Sequence, residues 1–203
     1  MSLTGTKYNT TADLWAFFQR LLEQIETLPG VEAAAYVTSL PLEPGVDLPF
    51  DIEGRPENNS GGAQWRSITP PYFNTMRIPL QAGRDFAEAD DISAPGVAVV
   101  SESFVRRYWP GQNPLGRRFH FAFDNFRFAE QDRIVIGVVG DVRFRGLEQQ
   151  SEPQVYLSYK QLPDRSATFY VPKDLVVHFS GDTTALGPAI RSIIQKADPE
   201  LPT

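Results

Sequence analysis

His120 and His178 are the only imidazoles in 203 residues, and there is no cysteine. Imidazole and thiolate are the usual soft metal ligands, and imidazole is the commonest base near neutral pH. Neither histidine has a His, Asp or Glu partner at a recognised ligand spacing, and each sits in an apolar alternation, the setting of a strand-surface histidine. Asp90-Asp91, and Asp124 with Asp132, are the candidates for paired carboxylates. Adjacent acids in loops stay solvated unless a shaped pocket desolvates them. No serine lies in a Gly-x-Ser-x-Gly elbow. Ile134 to Asp141 runs an apolar strand into Gly137, Gly140 and an acid, superficially like a dinucleotide fingerprint. That fingerprint needs three glycines in a turn that opens a helix. Here Asp141-Val142-Arg143-Phe144 follows and reads as extended chain, so a structural strand end is the expectation. No P-loop pattern occurs, so the chain is not itself an ATPase. Asn9 and Asn58 open Asn-x-Ser/Thr matches too short to weigh. No catalytic residue, metal ligand or cofactor site emerges, and a non-enzymatic domain is expected.

Two surface features are candidates for contact with other molecules. Arg106, Arg107, Arg117 and Arg118 concentrate positive charge in a chain whose net charge is −6. They suit an acidic partner or lipid headgroups, or else a solvated helix face and strand edge. Phe119, Phe121 and Phe123 alternate with His120, Ala122 and Asp124, and Asp124-Asn125 can turn the chain into Phe126-Arg127-Phe128. Three Phe on one strand face must pack somewhere, in a core or at a docking tip. The residues offered as partner- or lipid-facing are therefore Arg106, Arg107, Arg117, Arg118, Phe121 and Phe126.

The elements that would position these residues follow from periodicity. Leu14, Phe17, Phe18, Leu21, Leu22, Ile25 and Leu28 recur at three- and four-residue spacing, predicting a helix from about Thr11 to Leu28, capped by Thr10 or Thr11. Pro29-Gly30 stops it, and Val31 to Val37 reads as a buried strand. The C-terminal end repeats the pair. Leu175 to Phe179 reads as a strand, Gly181-Asp182 as a turn and cap, and Leu186, Ile190, Ile193, Ile194 and Ala197 as one helix face. Pro188 should kink or delay that helix. In the first copy a strand follows the stop, so the second half reads as cut short of its last strand. Between the halves, strands are expected at Phe50–Glu53, Trp65–Thr69, Val97–Val100, Phe119–Phe123, Ile134–Val139 and Val155–Leu157. Short helices are expected from Pro70 to Met76 and from Ser101 to Tyr108, and Glu57 to Gly62 reads as a mobile hairpin tip. Strands outnumber helices and are mostly not joined by them, which argues α+β.

The balance of charge argues against a nucleic-acid binder. With 41 % hydrophobic residues the chain can build a core without disulfides or metal. No run of 18 apolar residues exists, and no charged n-region and apolar h-region follow Met1-Ser2-Leu3, so neither a membrane span nor a signal peptide is expected.

Four stretches carry a family resemblance. The first is Ile68-Thr69-Pro70-Pro71-Tyr72-Phe73-Asn74-Thr75-Met76-Arg77-Ile78-Pro79-Leu80, continuing to Gly83-Arg84-Asp85-Phe86. The second is Val97-Ala98-Val99-Val100-Ser101-Glu102-Ser103-Phe104, running through Tyr108-Trp109-Pro110-Gly111 to Asn113-Pro114-Leu115-Gly116. The third is Ile136-Gly137-Val138-Val139-Gly140-Asp141-Val142-Arg143. The last comprises Pro153-Gln154-Val155-Tyr156-Leu157 and Ala197-Asp198-Pro199-Glu200-Leu201-Pro202. In order and spacing the chain resembles the MacB-like periplasmic core domain of ABC-transporter permeases, in the subgroup with FtsX-like permease helices. These are motifs of shape: the prolines fix turns and the remaining positions fill strand or helix cores. The Phe119 to Phe128 segment matches no motif of the family.

The resemblance implies a porter-like α+β subdomain, with ferredoxin-like βαβ halves from both chain ends, at 8–69 plus 152–203. A β-rich subdomain is inserted at 70–151. It also implies a place on the extracytoplasmic, periplasmic side of the bacterial inner membrane, with no catalysis and no cofactor. The implied partners are permease transmembrane helices in the same parent chain, a cytoplasmic ATP-binding subunit or domain, and a second copy in a dimer. A periplasmic adaptor is a further possible partner; nucleic acid is not one. The implied role is to carry conformational change from membrane helices and the ATPase to substrate export or hand-over. The alternative is a free-standing periplasmic small-molecule-binding or sensory domain.

Overall fold

Apolar residues at helical spacing form α1, Thr11–Glu26, which buries Leu14, Phe17, Phe18, Leu21, Leu22 and Ile25 on one side. The Thr10 hydroxyl accepts the Asp13 amide, closing the helix start as a side-chain cap should. Thr27 ends α1 before Leu28, and Gly30 takes the left-handed φ of +83° that turns the chain into β1, Val31–Val37. The computed structural model describes residues 10–43, 45–55, 61–121, 132–144, 148, 150–164, 171–181 and 183–199.

The later elements are β2 (Val46–Ile52), β3 (Gly61–Ile68), α2 (Tyr72–Thr75), β4 (Leu80–Gly83), β5 (Val97–Ser101) and α3 (Glu102–Tyr108). They continue with β6 (Arg118–Phe121), β7 (Arg133–Val139), β8 (Gln154–Ser158), a 3₁₀ turn at Tyr159–Gln161, β9 (Asp174–Phe179) and α4 (Leu186–Ala197). Pro188 lies in the first turn of α4, where its missing N–H costs nothing. Strand β4 was not expected. Its four residues are all exposed and lack an apolar alternation, and it exists by pairing with β7. The Phe123 end of the expected Phe119–Phe123 strand, the Asp182 cap, residues 57–60 of the expected hairpin tip and Phe126 lie outside the described residues, while Gly61 and Gly62 of that expected tip open β3.

The nine strands among the described residues belong to one sheet, ordered β2-β6-β7-β5-β8-β3-β1-β9, with β4 beside β7. A further pairing of β2 with β3 closes six of them into a ring. The closure is possible because β3 lies between β2 and β8, with Gln64 and Trp65 paired to both strands at once. Its first half pairs β2 from Phe50↔Gly61 to Val46↔Trp65, and its second half runs parallel to β8 from Gln64↔Gln154 to Ile68↔Ser158. At its end Ile68 meets Val37 of β1, and β1 carries β9 along its other edge. The sheet therefore runs through both expected subdomains. The β2–β6 and β5–β8 ladders join residues 8–69 and 152–203 to residues 70–151.

The two sheet faces make two cores. Tyr36, Phe50, Trp65, Phe104, Trp109, Phe119 and Val135 share one with α1, while Ile190, Ile193 and Ile194 of α4 pack on it half-buried. Ala35, Val37, Tyr72, Phe73, Phe86, Val99, Val139 and Tyr156 make the other. Alternation along β1 sends Ala34 and Tyr36 to the first core and Ala35 and Val37 to the second.

Candidate functional site

Helix α3 and the chain that packs beside it hold the densest polar geometry. Ser101 caps α3 by accepting the Phe104 amide at 3.2 Å, and it also accepts the Gln154 amide at 3.0 Å, tying β8 to the helix start. Ser103 donates to the Glu152 carbonyl at 2.8 Å. Asp141, the acid that ends the glycine-bearing strand β7, accepts the Ser103 amide at 2.7 Å and pairs with Arg106 at 2.6 Å. The dinucleotide-like stretch is thus a strand end whose acid holds a helix N-terminus. Residues 141–144, which follow Gly140, are not helical, so they offer no helix start to a phosphate.

The four arginines sit around the far end of α3 and the loop into β6, and all four are exposed. The Arg107 guanidinium lies 5.6 Å from the Tyr108 ring centre and that of Arg117 lies 5.8 Å from the Trp109 ring centre. Arg117 Nε also donates to the Asn113 carbonyl at 2.8 Å. Arg118 opens β6, and Arg106 is engaged by Asp141. Phe121 does not join this surface. It is 2 % exposed and meets Phe119 edge-on in the core, where Phe119 in turn packs on Phe50 and Phe104.

The histidines and acids do not converge. His120 lies 3.6 Å from Asp51 and His178 lies 3.7 Å from Glu32, each a separate surface pair. Asp90 is gripped by both terminal nitrogens of Arg84, at 2.6 and 2.9 Å, and accepts the Ala87 amide. Asp91 accepts the Ser93 amide and hydroxyl. Among the described residues, no three His, Cys, Asp or Glu gather as a metal site would require.

A cavity of about 660 Å³ opens beside the start of α1, between Trp15, Ile92, Lys160 and Pro163, with Asp91 and Asp164 at its edge. The Lys160 ammonium lies 5.1 Å from the Trp15 ring centre and pairs with Glu88. Asp164 accepts the Thr11 amide at 2.7 Å, so it serves the helix start as well as the rim.

Two buried arginines escaped the reading of the sequence, which treats arginine as a surface residue. Arg133 and Arg66 are both fully shielded. Burial pulls Arg133 down to about 10, and its Nη1 reaches Gln161 Oε1 at 3.3 Å. Neither carries a local signal of burial: Arg133 opens β7 directly after Asp132, and Arg66 lies between Trp65 and Ser67.

No curated protein matches the sequence. Solved structures do. The periplasmic region of MacB from Actinobacillus actinomycetemcomitans aligns with a TM-score of 0.58 at 18 % identity, over 87 % of this chain and 72 % of that one. The extracellular domain of the noncanonic ABC-type transporter YknZ from Gram-positive bacteria aligns at 0.59 and 13 %, over 88 % and 82 %. A domain of a putative permease protein from Porphyromonas gingivalis aligns at 0.56 and 18 %, over 85 % and 67 %. Those likenesses establish the porter-like α+β fold, and the sequence profile of one family covers residues 4–196. The chain belongs to the MacB-like periplasmic core domain family, a domain of ABC-type transporter permeases.

Proposed function

We propose that this chain is the extracytoplasmic domain through which a permease transmits movement of its membrane helices, driven by a cytoplasmic ATPase, to substrate export or hand-over. The observation that carries the reading is the unbroken sheet in a member of this family. The lobes at 8–69 with 152–203 and at 70–151 are coupled by the β2–β6 and β5–β8 ladders, so displacement of one is felt by the other. Rigid, coupled lobes are what mechanical transmission requires, and catalytic groups are not. The partners are the permease helices of the same parent chain, the ATP-binding subunit or domain, and a second copy. Replacing residues 8–203 in the parent permease with a flexible linker of equal reach should leave ATP hydrolysis and abolish transport. Unchanged transport would overturn the reading, as would a parent gene without transmembrane segments on either side.

The edge formed by Arg106, Arg107, Arg117 and Arg118, with Phe126 beyond it in sequence, is proposed as the face for an acidic periplasmic adaptor. Cation–π contact with Tyr108 and Trp109, at 5.6 and 5.8 Å from the ring centres, favours two of its guanidinium groups there while leaving them exposed. Changing Arg107 and Arg118 to Glu should leave the thermal midpoint unchanged and weaken adaptor binding. Binding of the native chain to anionic vesicles, lost in that variant, would assign the edge to lipid instead.

A second reading, a free-standing periplasmic small-molecule-binding or sensory domain, is favoured by the cavity at Trp15 and Lys160, whose volume suits a drug-sized ligand. Stoichiometric thermal stabilisation by a small molecule, lost in Trp15→Ala, would support it.

A further inference from the structure

The crevice at Trp15 draws its walls from distant parts of the chain. Trp15 and the start of α1 line it together with Lys160, Pro163 and Asp164, and the loop at Asp91–Ser93 adds a further wall. Two neighbouring side chains fasten the 88–97 stretch that carries this loop. Lys160 donates to the Glu88 carbonyl at 2.9 Å and pairs with the Glu88 carboxylate at 2.5 Å. Gln161 donates to the carbonyls of Asp91 and Pro95 at 3.1 and 2.9 Å, and its Oε1 accepts the Val97 amide at 2.9 Å. A crevice fixed in this way spares a ligand the cost of ordering its walls.

Apolar surface is left open there, with Ile92 exposed and Trp15 half-buried. The charges do not balance. Lys160 is the one cation among the described lining residues, and Glu88 neutralises it. Asp91 Oδ1 accepts the Ser93 amide at 2.9 Å and the Ser93 hydroxyl at 2.6 Å, and Asp164 Oδ1 accepts the Thr11 amide at 2.7 Å. The Oδ2 atoms of both have no hydrogen-bond partner among the described residues. The bonds from Ser93 also hold the Asp91 carboxyl below the ordinary carboxylate range, so it is ionised at neutral pH. Two donors of the helix start that would attract an anion are already engaged, the Thr11 amide by Asp164 and the Asp13 amide by the Thr10 hydroxyl. An indole wall under an acidic rim suits a cation that carries an apolar body.

We infer that this crevice binds an organic ammonium ion, its apolar body against Trp15 and Ile92 and its charge drawn to the rim that Asp91 and Asp164 make acidic. The assignment rests on the reading of the cavity as a small-molecule site, and it holds for the domain alone or within a permease.

The test follows the nitrogen-15-labelled chain by two-dimensional NMR at neutral pH and constant ionic strength. The three tryptophans give three indole signals, and Trp15→Phe identifies the one that matters. The probes share a phenylethyl body: 2-phenylethylammonium, 2-phenylethanol and 3-phenylpropionate. The ammonium should move the Trp15 signal saturably, with a dissociation constant of roughly a millimolar, about tenfold tighter than the alcohol. The propionate should bind more weakly still. The double variant Asp91→Asn with Asp164→Asn keeps an acceptor for Ser93 and Thr11, so it should fold and bind the ammonium no better than the alcohol. If it fails to fold, the contrast among probes on the native chain still decides. Equal or tighter binding of either other probe would overturn the ammonium assignment and leave the small-molecule reading standing, as would undiminished ammonium affinity in the double variant. No saturable movement of the Trp15 signal with any probe would overturn both.

Discussion

Asp141 and Arg106 meet at 2.6 Å across the start of α3, and the other oxygen of the same carboxylate takes the Ser103 amide at 2.7 Å. One side chain from the end of β7 thus closes a helix 38 residues earlier in sequence. Asp141→Ala should therefore destabilise the chain by about 1–2 kcal/mol, the usual effect of losing a capping acceptor, read as a lower urea midpoint. Arg106→Ala should cost less than about 0.5 kcal/mol, because its side chain is mostly exposed and solvent screens the pair. Equal losses in the two variants would show that the ion pair, and not the cap, is the stabilising contact.

That contact illustrates what the sequence discloses. Local patterns were legible: the α1 stripe with its Thr10 cap and β1 at Val31–Val37 all follow from neighbours within a few residues. Closure of the ring was not, because β3 must hold β2 on one edge and β8 on the other, pairings with distant chain that no local pattern specifies. Strand β4 had no apolar alternation to announce it. For Phe121, spacing alone left core and docking tip open, and burial against Phe119 decided the matter. Arg66 carried no sign in the sequence, since its surroundings at Ser39 and Gly45, before β2, and at Phe144, after β7, come from two distant segments.

Acid should probe the Arg84–Asp90 grip. The hydrogen bonds from Arg84 hold the Asp90 carboxyl below the usual carboxylate range. A depressed folded-state value means that the contribution is fully present above the unfolded value near pH 4 and is lost as pH falls through the lower folded value. Asp90→Asn should flatten the fall in stability below about pH 4 and leave it unchanged in shape between pH 6 and 8. Asp85 acts in the opposite sense. Burial raises its carboxyl, so protonation relieves a penalty as pH falls, and Asp85→Asn should steepen the acid limb. Denaturant melts of the two variants against pH should diverge in these directions.

Two glycines should respond to alanine with opposite signs. A Cβ on Gly137 would lie 2.3 Å from the Arg84 carbonyl oxygen, a backbone atom that cannot rotate away. Gly137→Ala should cost about 1–3 kcal/mol by forcing β4 off β7. At Gly62 no atom lies within 4 Å of an added Cβ, and its backbone bonds to the Tyr108 hydroxyl would survive. Gly62→Ala should raise stability by about 0.4–1 kcal/mol by restricting the unfolded chain. A loss at both positions in thermal melts would mean that the strand ladder, rather than the space at the Cβ, sets the response.

Self-association of the isolated chain should be weak. The large apolar side chains most exposed among the described residues, Leu42, Val46, Leu80 and Ile92, do not assemble into one broad patch. Leu42 and Val46 flank one loop, Leu80 opens β4, and Ile92 edges the Trp15 cavity. A stable dimer usually needs a contiguous apolar centre with a polar rim, and the acidic net charge adds long-range repulsion between copies. Pairing of two copies in a permease would then be held by the membrane segments, with the extracytoplasmic domains free to separate and close. Sedimentation velocity should give a monomer at low micromolar loading, with at most a concentration-dependent shift at high loading that shrinks when salt is lowered. A dimer that persists unchanged on dilution would relocate the pairing contacts into this domain and make its separation, rather than its closure, the step requiring work.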